Sequence, residues 1–188
     1  SLAFDDDGVG TVMNPYAIKF LSVATTAIGE TKYAKLSEAI AAAQNGETIE
    51  LLDNITEDVT INKAVTINGA GKTYTGKMTA KADLTAKNVN CDGKAYNGYA
   101  FDTRGANYVT IEDCTAKNDG YGFVQLASGT ALTTVKNVTV SNMNYGVKVD
   151  YSNAVVIENA NIAANVAAVL NSNYGEKTIT IKNSNLSI

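Results

Sequence analysis

Five residues of one type recur at almost one spacing, and this repeat limits the fold more than any other feature of the chain. Asn88, Asp113, Asn137, Asn159 and Asn183 lie 22 to 25 residues apart. Each closes the same short pattern: Leu-Thr-Ala-Lys before Asn88, Val-Thr-Ile-Glu before Asp113, Thr-Thr-Val-Lys before Asn137, Val-Val-Ile-Glu before Asn159 and Ile-Thr-Ile-Lys before Asn183. One short strand returning at this period predicts a solenoid in which each repeat is a coil.

Within each pattern, alternate residues share a face of the strand. Ala86, Ile111, Val135, Ile157 and Ile181 form one apolar column, and Leu84, Val109, Thr133, Val155 and Ile179 form a second. Both are assigned to the interior. Thr85, Thr110, Thr134, Val156 and Thr180 fall between them and point outward, as suits β-branched residues on a pleated surface. The remaining outward column, Lys87, Glu112, Lys136, Glu158 and Lys182, changes sign at every coil. A slip of one coil would set like charges side by side, so this column controls register more than it adds stability. The threonine column is explained by β-propensity rather than as a flat binding array.

The asparagines are expected to turn inward at the corner after each strand, stacked in a hydrogen-bonded ladder. Beyond the corner, Val89, Cys114, Val138, Ala160 and Ser184 form a small inward column, and Cys91, Ala116, Val140, Ile162 and Leu186 form the next. A further strand is predicted from Tyr99, Tyr121, Tyr145 and Ala167. The chain therefore reads as an all-β, right-handed parallel β-helix of about seven coils. Residues 33–46 are expected to be a helix stopped by Gly46. Its face of Leu36, Ala39, Ile40 and Ala43 would cap the first coil. Residues 1–31 read as an extended N-terminal segment and 32–188 as the capped β-helix. Gly69-Ala-Gly-Lys lacks the phosphate-loop spacing and reads as a turn.

The segment 27–55, from Ala-Ile-Gly-Glu-Thr-Lys-Tyr through Gly-Glu-Thr-Ile-Glu-Leu-Leu-Asp-Asn-Ile, resembles the cap-and-first-coil unit of secreted pectate-lyase-like β-helix domains. It is similar to the version found in bacterial surface proteins. The resemblance implies an extracellular location, with any signal peptide already removed. It implies no activity, because that superfamily holds lyases, hydrolases, tailspikes, adhesins and non-catalytic modules.

The chemistry argues against catalysis. The chain has no histidine, so Ser-His and Cys-His arrangements are excluded. The readable outer face shows no acidic cluster for calcium and no carboxylate pair for glycoside hydrolysis. Asn118-Asp119-Gly120 faintly resembles a polygalacturonase motif, but Asn142, Met143 and Asn144 stand where the next coil would need aspartates. Cys91 and Cys114 read as free buried thiols two positions out of step, beyond disulfide reach. No zinc site, other metal site or cofactor is expected. Asp5, Asp6 and Asp7 read as a solvated acidic turn rather than a calcium loop. Asn54, Asn137 and Asn185 match glycosylation sequons, and the match at Asn137 is set aside because that residue belongs to the ladder. A net charge of −4 gives no basic footprint for nucleic acid, and no apolar run is long enough to span a membrane.

Two features bear on binding. Tyr99, Tyr121 and Tyr145 fall on successive coils, either as a platform for sugar rings or as a corner stack that packs the turn, the favoured reading. The chain's last strands expose an open coil at Ile179, Ile181, Leu186 and Ile188, while residues 11–28 form an apolar, β-prone stretch including Tyr16, Ile18 and Phe20. The expectation is an extracellular, non-catalytic structural or adhesive β-helix that associates with itself end to end. The alternatives are a carbohydrate-binding or degenerate polysaccharide-acting module, or a phage fibre or spike component.

Overall fold

The computed structural model describes residues 23–92, 98–117, 121–128, 130–151, 154–172 and 176–188. A hairpin of β1 (Thr26–Ile28) and β2 (Thr31–Tyr33) precedes α1 (Leu36–Ala42). The chain then winds through β3 (Thr48–Leu51), β4 (Ile55–Thr56) and β5 (Val59–Ile61), and through β6 (Val65–Asn68), β7 (Thr73–Thr75) and β8 (Met78–Ala80). The next passes are β9 (Leu84–Lys87), β10 (Asn90–Asp92) and β11 (Tyr99–Arg104), then β12 (Tyr108–Glu112), β13 (Thr115–Lys117) and β14 (Gly122–Ser128). Beyond these, the two strands after each corner fuse: β15 (Leu132–Lys136) leads to β16 (Thr139–Val149), and β17 (Ala154–Glu158) to β18 (Asn161–Asn171). The described chain closes with β19 (Thr178–Lys182) and β20 (Asn185–Ser187).

The described residues form an all-β parallel solenoid with one helix. One sheet runs β19-β17-β15-β12-β9-β6-β3, with the antiparallel β1 and β2 beyond β3, and the second runs from β4 and β5 to β18 and β20. The solenoid makes about five turns, fewer than the sequence suggests. Five inner rungs, β6, β9, β12, β15 and β17, have parallel neighbours on both sides. The first pass adjoins an antiparallel hairpin instead, and the final pass holds only β19 and β20. The division expected at residue 31 falls at the start of β2, and part of the segment expected to lie outside the coils, Thr26–Ile28, pairs with β3.

The interior columns are as the alternation requires. Ile49, Ile67, Ala86, Ile111, Val135, Ile157 and Ile181 stand in register across seven rungs. The first six are fully buried, while Ile181, on the last rung, is 46 % exposed. The charged column also holds its register from Lys87 to Lys182, with Lys136 Nζ 2.7 Å from Glu112 Oε2. Cys91 and Cys114 are free and buried. Burial pushes both thiols up, Cys114 to about 12, so neither is a thiolate at neutral pH.

The helix is shorter than expected, seven residues instead of 33–46, and its end is set by tertiary contacts. Lys63 reaches back so that Nζ donates to the carbonyls of Ala41 at 2.6 Å and Ala43 at 2.7 Å. It thereby satisfies orphan acceptors that a glycine stop would otherwise serve. At the other end Leu36 N–H donates to Glu57 Oε2 at 3.1 Å. Leu36, Ala39, Ile40 and Ala43 are buried in the same core as the first coils.

The corner residues face the opposite way from the expectation. Asn88, Asp113, Asn137, Asn159 and Asn183 are exposed, not turned inward. Their backbones explain both their identity and their direction: φ is 54°, 54°, 53°, 50° and 47° in that order. Only glycine, asparagine and aspartate enter this left-handed region readily. Outside the corner the side chains still form a ladder along the axis. Asn137 Nδ2 donates to Asp113 Oδ1 at 3.0 Å, and Asn159 Nδ2 to Asn137 Oδ1 at 3.2 Å. Asn88 joins an earlier residue, Asn68, at 3.4 Å.

Substituting Asn137 separates these two roles. Asn137→Leu is expected to cost about 1–3 kcal/mol, from a branched residue forced to positive φ and a lost ladder bond. Asn137→Gly keeps the backbone at ease and should recover most of that cost. Urea unfolding of both variants checks this; equal losses would show that backbone conformation is not what selects asparagine here.

Candidate functional site

The second sheet carries an outer column that is polar over most of its length. Thr60, Thr79, Asp102, Gln125, Lys148 and Leu170 stand in register on β5, β8, β11, β14, β16 and β18. A groove of about 530 Å³ opens beside it, lined by Lys77, Tyr99, Asp102, Arg104, Tyr121 and Gln125.

Asp102 is only 4 % exposed. The register of β11 against β14 shifts between Thr103 and Arg104. Such bulges re-aim side chains, and here Arg104 Nε donates back to Asp102 Oδ2 at 2.9 Å. The other carboxylate oxygen, Oδ1, is buried and has no hydrogen-bond partner among the described residues. Two rungs further along, past the end of β16, Asp150 is fully engaged: Gln125 Nε2 donates to Oδ2 at 2.9 Å, Lys148 Nζ lies 3.3 Å from Oδ2, and Ser172 Oγ donates to Oδ1. Burial pushes the Asp150 carboxyl up, but the hydrogen bonds from Ser172, Gln125 and Lys148 outweigh it and hold the group below the usual range.

The tyrosines form a cluster, not a straight row. Tyr99, Gly122 and Tyr145 share one register position, and Tyr121 sits one residue ahead of it. The ring of Tyr99 occupies the space a side chain at 122 would need; a Cβ there would lie 2.2 Å from Tyr99 Cε1. Tyr121 meets Tyr99 edge-on at 5.4 Å between centroids and Tyr145 at 5.3 Å. Tyr99 is 3 % exposed and Tyr121 43 %. The cluster therefore both packs the turn and offers Tyr121 to the groove. The Tyr99 hydroxyl is buried with no partner among the described residues. Burial, reinforced by Tyr121, raises its pKa well above the ordinary phenol value, so at neutral pH it remains an O–H donor.

The structure thus joins Tyr99 and Tyr121 to residues that the sequence analysis passed over: Asp102, Arg104, Gln125, Lys148, Asp150 and Ser172. The other tentative residues lie elsewhere. Ile179 and Leu186 are half-buried, and Ile181 and Ile188 exposed, on the last rung. Tyr16, Ile18, Phe20, the Asp5–Asp7 run and the Asn118-Asp119-Gly120 motif fall outside the described residues. Among the described residues no three of Asp, Glu and Cys cluster as metal ligands, and no helix is long and apolar enough to cross a membrane. No protein family, curated protein or solved structure matches the chain.

Proposed function

We propose that the chain is a non-catalytic structural or adhesive module of the extracellular space: a right-handed β-helix of the pectate-lyase-like kind, closed over its first coil by α1. Right-handed crossovers are the strong default for parallel strands. The observation that carries the non-catalytic reading is the state of the two groove-side acids. Asp102 is tied to Arg104, and Asp150 to Lys148, Gln125 and Ser172. Glycoside hydrolysis needs one carboxyl free to give a proton and another free to attack or to activate water. Carboxylates already bonded to cationic and amide donors are engaged in holding the groove wall together.

The adhesive module is proposed to join copies of itself through its end rungs. Ile181 and Ile188 are 46 % and 88 % exposed, and among the described residues β19 and β20 each have a strand neighbour on one side only. An uncovered sheet edge beside exposed apolar residues invites a further strand. A head-to-tail contact of this kind is heterologous and can run on as a fibre.

Purified protein incubated with pectic, xylan and glucan polysaccharides, with and without calcium, is expected to release neither reducing nor unsaturated ends above background. Release that disappears in Asp102→Asn would overturn the non-catalytic reading.

A further inference from the structure

The chain has neither tryptophan nor histidine, and its described sulfur side chains are shut away: Met78, Met143, Cys91 and Cys114 are each at most 2 % exposed. Side-chain oxidation follows exposure. A one-electron oxidant arriving from solvent therefore meets tyrosine first. Among the described residues the exposed tyrosines are Tyr108, Tyr121 and Tyr151. Tyr121 stands out because it belongs to a cluster. Its ring lies 5.3 Å from that of Tyr145 between centroids, with 56° between planes, and 5.4 Å from that of Tyr99. These are contact separations for aromatic rings. The backbones of Tyr121 and Tyr145 are joined as well, Tyr145 N–H donating to the Tyr121 carbonyl at 3.1 Å. The two rings thus touch across neighbouring rungs, although they lie 24 residues apart in sequence.

We propose that Tyr121 and Tyr145 form an oxidative cross-linking site, coupled ring to ring as dityrosine by a peroxidase that uses hydrogen peroxide. Each phenol gives up one electron and its hydroxyl proton. The unpaired electron of the resulting phenoxyl radical spreads onto the carbons ortho to the oxygen, and one such carbon from each ring joins in a new C–C bond. Each ring then moves the hydrogen on that carbon to its oxygen and regains the phenol. The pair loses two electrons and two protons in all, and these convert one hydrogen peroxide into two waters. Contact between the rings lets Tyr121 pass its oxidation to the half-buried Tyr145 and be oxidised again. Tyr99 takes no part. Its hydroxyl is buried with no acceptor among the described residues, so the proton that oxidation must shed has nowhere to go. Burial also raises its pKa well above the ordinary phenol value, which opposes that loss. The bond would close a loop between the entry to β14 and the middle of β16. It would hold two rungs of the second sheet together as a disulfide does, in a molecule whose described cysteines are free and buried. The extracellular reading supplies the setting in which peroxide and peroxidases are met; the coupling itself depends only on the rings.

The test treats the full chain, at low protein concentration, with a haem peroxidase and limiting hydrogen peroxide. The monomer is expected to lose the mass of two hydrogens and to gain dityrosine fluorescence. Proteolysis should yield a cross-linked pair of peptides, one holding Tyr121 and the other Tyr145. The cross-linked monomer should unfold at higher urea than the untreated protein. Tyr121→Phe and Tyr145→Phe should each abolish the product, whereas Tyr108→Phe and Tyr99→Phe should leave it. The peptide map of the unsubstituted protein decides the matter should a variant fail to fold. Cross-links that fall on Tyr108 or Tyr151 instead, that join separate chains, or that survive in Tyr121→Phe would overturn the proposal. So would a lack of dityrosine when free tyrosine couples under the same conditions. Failure of the coupling would leave the extracellular scaffold reading standing, and polysaccharide cleavage would end the non-catalytic reading without touching the cross-link.

Discussion

Phe101→Ala is expected to cost about 3–5 kcal/mol, the range for deleting a fully buried aromatic side chain. Phe101 is completely buried and stands in register between Met78 and Val124. Its ring packs edge-on against Phe123, 5.6 Å between centroids and 77° between planes. The core of a solenoid is a narrow column, so each rung has few neighbours with which to close a cavity. The pair should couple: the double substitution Phe101→Ala with Phe123→Ala is expected to cost less than the two single losses added, because the second removal enlarges a cavity already present. Urea unfolding followed by circular dichroism measures all three. A loss below about 1 kcal/mol for Phe101→Ala would mean that β8, β11 and β14 do not share the core described here.

Why the sheet with the asparagine corner was readable, and the groove was not, follows from the two halves of each coil. In the first half, one left-handed corner residue and a strict apolar alternation mark every rung, so register can be counted from Asn88 to Asn183. The direction of those side chains was not readable, because a repeat reports a shared environment without reporting which side of the wall it faces. Backbone φ decides that. In the second half, tyrosine is the most visible residue, and it misleads by one position. Aligning Tyr99 with Tyr121 places Asp102 opposite Val124. The true alignment of Tyr99 with Gly122 places it opposite Gln125, with Lys148 next, and the polar column emerges. The signal was present as the even spacing of Asp102, Gln125 and Lys148. Gly122 hid it, since the glycine is there to admit the ring of Tyr99 and carries no side chain to be counted. The end of α1 was misplaced for a similar reason: Lys63, twenty residues or more away in sequence, does the work expected of Gly46.

Two residues of one interior column isolate the question of what covers the last rung. Ile157 and Ile181 are register partners on β17 and β19, but Ile157 is fully buried and Ile181 is 46 % exposed. Ile157→Ala is expected to cost about 2–5 kcal/mol at any protein concentration. Ile181→Ala should cost under about 1 kcal/mol in dilute solution, where an open rung has little burial to lose. End-to-end association adds a second expectation. Anything that binds only the folded form raises its apparent stability with concentration, so the melting temperature and light-scattering mass of the unsubstituted protein should rise with concentration, and Ile181→Ala should blunt both rises. Charge changes at Lys136 or Glu112, on a face not used by the contact, should leave them intact. A mass and melting temperature independent of concentration would rule out the association. If, in that case, Ile181→Ala also proved as costly as Ile157→Ala, the cover would come from the same chain, and the apolar stretch at residues 11–22 would be the segment to delete next.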